Sequence, residues 1–218
     1  MVYGLNVKPE HGYYVDFDPL DGDVRNIKLL DETPDEGLNP RGRAVACGRA
    51  VDPTNVPTKV QWKDQHGHPV PDFDNGPFLN LSARAKALIE QFEPGLHQFL
   101  PVEFMDIKGA HLENRWFFVV CNRLDTIDRD HVQGMLLSGG KMWRPASELL
   151  RRYPEEIPEG FDLSVVPKLV FSRKKIGNAH VWQDKHLSGV GAFLSEELAE
   201  ALIAARVTGI KPSKAQAV

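Results

Sequence analysis

Six consecutive apolar residues, Trp116-Phe117-Phe118-Val119-Val120-Cys121, stand between Arg115 and Asn122. They are mostly aromatic or β-branched, which predicts a strand buried on both faces. Polar groups then recur at every third position, Asn122, Asp125 and Asp128. A helical turn there would gather all three on one side, either as an active-site edge or as a polar brace where the strand ends.

Elsewhere the pattern predicts shorter elements. Tyr13–Phe17, Ile27–Leu30 and Lys59–Lys63 read as strands, and the Pro- and Gly-bearing residues 31–58 as a long loop. Asp64–Pro77 reads as a second turn region. Ser82 is placed as an N-cap before Ala83–Phe92, a run of good helix formers closed by Pro94-Gly95. Gln98–Ile107 predicts a strand, linked to the apolar run through Lys108-Gly109-Ala110-His111. Met135–Leu137 and Ala146–Arg152 carry some apolar periodicity, and Tyr153–Phe161 is a Pro/Glu loop. Pro167–Phe171 and Ala179–Trp182 read as strands. Ser195 caps a last helix over Glu196–Arg206, with Glu in its first turn and Arg in its last, as the helix dipole favours. Phe78–Ser82 and Ala192–Ser195 use the same entry, apolar residues running into a capping Ser and an Ala-rich helix.

Helices do not alternate regularly with strands, so a doubly wound fold is set aside. The expected class is α+β, a mixed and largely antiparallel sheet with a few helices packed on it. The expected organisation is an acidic, strand- and loop-rich part over 1–58, an α+β domain over 59–210 and a flexible tail over 211–218.

Composition adds exclusions rather than chemistry. A hydrophobic fraction of 42% and a charged fraction of 26% over 218 residues are those of a globular protein, and no window has the apolar length of a membrane span. The first ten residues lack a basic segment followed by an apolar one, so a cytoplasmic location is expected. Cys47 and Cys121 sit among apolar residues and read as small buried hydrophobes. The net charge is −4, but residues 1–40 hold nine acids against three bases. That imbalance argues against nucleic acid and suits a basic protein partner.

Catalytic signatures are sparse. Asp125, Asp128, Asp130 and His131 form the best hard-metal candidate, since oxygen ligands and one imidazole suit Mg²⁺ or Mn²⁺. The same residues equally serve a turn. His66-Gly67-His68 lies in a loop without Cys, Ser138-Gly139-Gly140-Lys141 lacks the upstream Gly of a phosphate loop, and no G-x-S-x-G is present. No cofactor is implied.

The order of pieces carries more than any one of them. Trp62 is followed by Asp72-Phe73, by Leu81-Ser82 opening a helix, and by the strand leading to Asn122, Asp125 and Asp128. Phe193 and Ser195 open the last helix, and Thr208-Gly209 follow it. Over roughly residues 60–210 this resembles the bacterial immunity protein family eleven, long carried as a domain of unknown function. The close here is Val207-Thr208-Gly209-Ile210 where the family pattern has L-T-G-L.

The resemblance implies a binding protein, not an enzyme, that blocks a cognate toxin of a polymorphic or type VI secretion system. From the acidic imbalance and the lack of a long apolar window, neither nucleic acid nor a membrane is expected as a partner. Asp16, Asp18, Asp21, Asp23, Asp35 and Glu36 are the candidate toxin contacts. The competing reading is a metal-dependent hydrolase, or an enzyme reversing a toxin's modification, using Asp125, Asp128 and His131. Without a nucleophile or second ligand cluster to meet them, Asn122, Asp125 and Asp128 are expected to bond backbone groups.

Overall fold

A computed structural model of the chain describes residues 1–8, 16–39, 44–63, 69–75, 78–187 and 191–218. Its elements run β1 (Val2–Gly4), β2 (Phe17–Pro19), β3 (Lys59–Trp62), β4 (Phe73–Asn75), β5 (Leu79–Leu81), α1 (Ala83–Phe92), β6 (Gln98–Met105), β7 (His111–Val119), β8 (Arg123–Leu124), β9 (Met135–Ser138), β10 (Met142–Pro145), α2 (Ala146–Arg152), β11 (Val170–Phe171), α3 (Arg173–Ile176), β12 (Val181–Asp184), β13 (Phe193–Ser195), α4 (Glu196–Ala204) and β14 (Ser213–Ala217). One sheet has the order β2-β3-β6-β7-β5-β4 and the other β11-β14-β1-β13-β12-β8, with β9 and β10 a separate hairpin. Among the described residues the pairings β3·β6, β8·β12 and β11·β14 are parallel. The others are antiparallel. The fold is mainly sheet with some helices, of the α+β kind.

Both sheets are covered on each face, and this explains the unbroken apolar run. Phe117 and Val119 point into a core with Val51, Val60, Trp62 and Phe104. Phe118 and Val120 point the other way, into a core with Ile89, Leu194, Leu198 and Leu202. Alternate side chains of one strand thus enter two cores, and neither face needs polar residues. The second sheet does the same, for Leu194 joins the central core whereas Phe193 packs with Trp182, Phe171, Ile127 and Trp143. Helices α1 and α4 lie between the sheets. Ser82 and Ser195 cap them, accepting from the amides of Ala85 and Leu198 respectively. Leu29, Cys47, Val51 and Val56 of the N-terminal segment close the outer face of the first sheet. No helix among the described residues is long and apolar enough to cross a membrane.

Several expectations need correcting. Ile27–Leu30 is not a strand; only Leu29 bridges to Val51, after a 3-10 turn at Val24–Asn26 capped by Asp23. Tyr13–Val15 and His66–His68 lie outside the described residues. The turn-rich Asp64–Pro77 contains β4, because Phe73 and Asp74 are buried in pairing with β5. β7 begins at His111, extending the expected strand by a polar, exposed half. Residues 211–218, expected to fray, carry β14 instead. That strand is hydrogen-bonded antiparallel to β1 and parallel to β11, and Ala215 and Ala217 pack on the third core. A polar, Lys-bearing segment gave no periodic signal for a strand with neighbours on both sides.

Candidate functional site

The end of the central strand does not turn helically. It continues extended through β8, so spacing by three does not bring Asn122, Asp125 and Asp128 together. Asn122 Nδ2 donates to the carbonyl of Val181 (3.2 Å), and the amide of Gln183 donates to the Asn122 carbonyl (2.9 Å). Asp128 Oδ1 accepts from the amides of Asp130 and His131 and pairs with His131 Nδ1 at 2.9 Å. These two residues therefore hold backbone. Asp125 does not. Its carboxylate faces Arg129 (3.3 Å), Lys175 (3.7 Å) and His186 (4.0 Å), and Oδ1 is buried without a hydrogen bond. Among the described residues, no three His, Cys, Asp or Glu side chains converge as a metal site requires, so the Asp125, Asp128, Asp130, His131 set is not gathered.

Beside Asp125 stands a buried network invisible to sequence spacing. Asp184 Oδ2 accepts from the amide (2.6 Å) and hydroxyl (2.7 Å) of Thr126, and Oδ1 from the amide of His186 (2.8 Å). Trp182 Nε1 donates to the same hydroxyl. His186 Nδ1 meets the Lys141 carbonyl at 2.9 Å and so carries the proton there, while Nε2 is buried without a partner.

A second junction unites three pieces of the sequence pattern. Asp72 accepts from Ser82 Oγ (2.7 Å), from the amide and hydroxyl of Thr208 (both 2.9 Å) and from Arg84. Burial raises the Asp72 carboxyl, but the bonds from Arg84, Ser82 and Thr208 outweigh it and hold the pKa at about 2. Gly209 lies beneath with φ +81°, where a Cβ would come within 1.9 Å of the Phe73 carbonyl oxygen. Next to it Arg115, fully buried, donates to Asn80 Oδ1 (2.7 Å), Glu113 (2.9 Å) and the Pro71 carbonyl (2.5 Å).

Glu93, just past α1, links the layers. Its carboxylate accepts from the amides of His180 (2.7 Å) and Val181 (2.9 Å) and contacts His97 Nε2 at 2.6 Å. The Cys121 amide donates to His97 Nδ1, which leaves Nε2 as the ring's donor to Glu93. Ser195 Oγ meets His180 Nδ1 at 2.8 Å on the wall of a cavity of about 390 Å³ that also exposes Arg173 and Glu197. Because that oxygen also accepts from the Leu198 amide, its proton is directed to His180, and the pair serves as the cap of α4. Both cysteine thiols are pushed up by burial, which leaves them poor nucleophiles.

The six N-terminal acids do not share one setting. Asp21 accepts from the amides of Thr58 and Lys59, and Asp23 from Arg25 and Asn26. Asp35 receives the Arg123 guanidinium through two bonds, 2.6 and 2.9 Å, with Arg49 and the Gly37 amide alongside. Asp16 and Asp18 share Lys63, and Glu36 lies 3.2 Å from Lys185. Trp62 is core, and Phe73 and Phe193 are buried. Sequence reasoning missed Glu93, Asp184 and His186, because His180 and Val181, Thr126 and Lys141, which complete their bonding, lie far away in sequence.

The Immunity protein family (Imm11) model matches residues 22–217, further than the motif pieces alone reached. No curated protein matches the chain. The match takes in every strand from β3 to β14, leaving out β1 and β2, together with helices α1 to α4 and the Asp72, Asn122 and Ser195 junctions. On that basis the chain belongs to the Imm11 immunity protein family, and its role is an immunity role.

Proposed function

We propose that the protein acts in the cytoplasm as a stoichiometric antagonist, binding a cognate secreted toxin of a polymorphic or type VI system and blocking it without catalysis. The family match over residues 22–217 carries this reading. The polar residues support it. Asp72, Ser82, Asn122, Asp128 and Ser195 bond to backbone and to one another, as a scaffold's residues do. An inhibitor needs a rigid frame and a complementary surface rather than reactive groups.

A basic toxin surface and neither nucleic acid nor membrane is the proposed partner. Of the N-terminal acids, Asp16, Asp18 and Glu36 keep side chains more than half exposed and are the ones available to it. Asp21, Asp23 and Asp35 hold their own loop.

The test is co-expression with the protein encoded by the adjacent gene, followed by titration of purified components. Protection that saturates near one-to-one, together with a stable complex, is the expected outcome. Protection at a small fraction of the toxin's amount would overturn antagonism and favour an enzyme.

A further inference from the structure

The stretch between α2 and β11 is held in place yet turned outward. From Asp162 to Lys168 every residue is exposed, including Leu163, Val165 and Val166, and Val166 reaches 77% exposure. Leu150 and Tyr153, at the end of α2, are exposed as well. Buried anchors would be the ordinary fate of such side chains, and a run of them in one connection marks a contact surface.

The segment is not loose chain. Gln133 and Lys168 exchange two backbone hydrogen bonds, 3.0 and 2.8 Å, which pin its far end. Glu156 accepts from the Gly139 amide at 3.2 Å, and Asp162 accepts from the amide and hydroxyl of Ser164 at 2.8 and 2.6 Å. Gly134, with φ +59°, lets the Val165 carbonyl approach so closely that a Cβ would come within 2.6 Å of it. Pro154, Pro158 and Pro167 further restrict the backbone. A connection held this way presents its apolar side chains with little left to order on binding.

Charge then selects the occupant. Residues 153–167 carry Glu155, Glu156, Glu159 and Asp162 and no Lys, Arg or His, with Arg151, Arg152 and Lys168 at their ends and Arg152 turned to Glu148. Among the described residues no ion pair reaches Glu155 or Glu159, whereas Asp16, Asp18 and Glu36, though exposed, each already face a lysine of the protein itself. A second copy docking through this same face in a two-fold contact would set these carboxylates against its own. Nucleic acid is repelled for the same reason.

We infer that residues 153–167, with Leu150, are the main toxin-docking surface, taking a basic face that receives Val166 and its apolar neighbours in a socket rimmed by Lys or Arg. This rests on the antagonist reading and names the surface it uses. The probe is the toxin domain of the adjacent gene product, with affinity measured by calorimetry at two salt concentrations. Glu155→Lys/Glu159→Lys should weaken binding at least tenfold and flatten its salt dependence, and Val166→Asp should weaken it at least tenfold at either salt. Asp16→Lys/Asp18→Lys should change affinity less than threefold. All these side chains are exposed, so unchanged thermal melts will show that the variants fold. Wild-type affinity in both loop variants would overturn the docking surface while leaving the antagonist reading intact. A wild-type protein that neither binds nor protects would remove both. A wild-type dimer in sedimentation that Val166→Asp dissociates would assign the surface to a second copy and overturn the inference.

Discussion

Asp72 and Thr208 lie 136 residues apart and meet three times, the Thr208 amide and hydroxyl donating to the Asp72 carboxylate and the Asp72 amide donating back to the hydroxyl oxygen. The contact closes the chain's last helix onto the entry of its first, because the same carboxylate holds Ser82, the cap of α1. Asp72→Ala should lower unfolding stability by about 3 kcal/mol, since it strands several donors at once. The folded pKa of about 2 lies below the ordinary 3.8, so this stabilisation is present above pH 4 and is lost as pH falls toward 2. Urea unfolding across that range checks both statements, and the variant should show a flatter acid limb.

Gly209→Ala tests the floor of the same junction. The positive φ and the Phe73 carbonyl leave no room for a methyl, so a loss of roughly 2–4 kcal/mol is expected. Gly95→Ala, also at positive φ but with open space around it, should lose less. Equal losses in thermal melts would mean that backbone conformation alone, not the carbonyl, sets the requirement.

Glu93 joins α1 to β12 through two amides and to the central strand through His97. Burial raises its carboxyl, but the bonds from His97, His180 and Val181 prevail and lower it. Its stabilisation therefore exists above the ordinary carboxylate range and disappears as pH falls through it. Glu93→Ala should cost about 3–5 kcal/mol, and Glu93→Gln, which keeps one acceptor, clearly less. Hydrogen exchange should show the loss first at the amides of His180 and Val181.

Arg123 fastens the N-terminal segment. Its guanidinium holds the Asp35 carboxyl well below the usual range and also donates to the carbonyls of Cys47 and Leu38. Arg123→Ala should destabilise the protein by about 2–4 kcal/mol and raise exchange at the Gly37 and Leu38 amides before the sheets respond. Uniform exchange across the chain would show that the segment has no separate opening.

Asp125 separates the two functional readings. Asp125→Asn keeps the shape and removes the charge facing Lys175 and Arg129, so a folded protein that binds and protects like wild type is expected. A folded Asp125→Asn protein that binds the toxin but fails to protect would restore catalysis at this position.

Local chemistry was readable where it was self-contained. Ser82 and Ser195 declared their helices because a cap and the helix formers behind it are neighbours in sequence. The run Trp116–Cys121 declared burial on both faces because no polar residue interrupts it. β14 escaped notice because its strand state depends on β1 and β11, not on any periodicity of Ser213–Ala217. Asn122 and Asp125 share one spacing pattern yet do different things, one holding the Val181 carbonyl and the other facing two cations. Spacing cannot distinguish them, since Val181 for the one and Lys175 for the other come from segments distant in sequence.

By itself the sequence determined the helix entries, the central buried strand, the family and the absence of a legible catalytic motif, all properties of residue type and order. Tertiary structure alone decided that Asp72, Ser82, Thr208 and Gly209 form one junction, and that Asp21, Asp23 and Asp35 hold backbone and Arg123 while Asp16, Asp18 and Glu36 stay exposed. It alone decided that the acids and apolar residues of 153–167 face outward. Those outcomes turn on which groups a fold brings within hydrogen-bonding distance and which it leaves to solvent, and long-range pairing sets both.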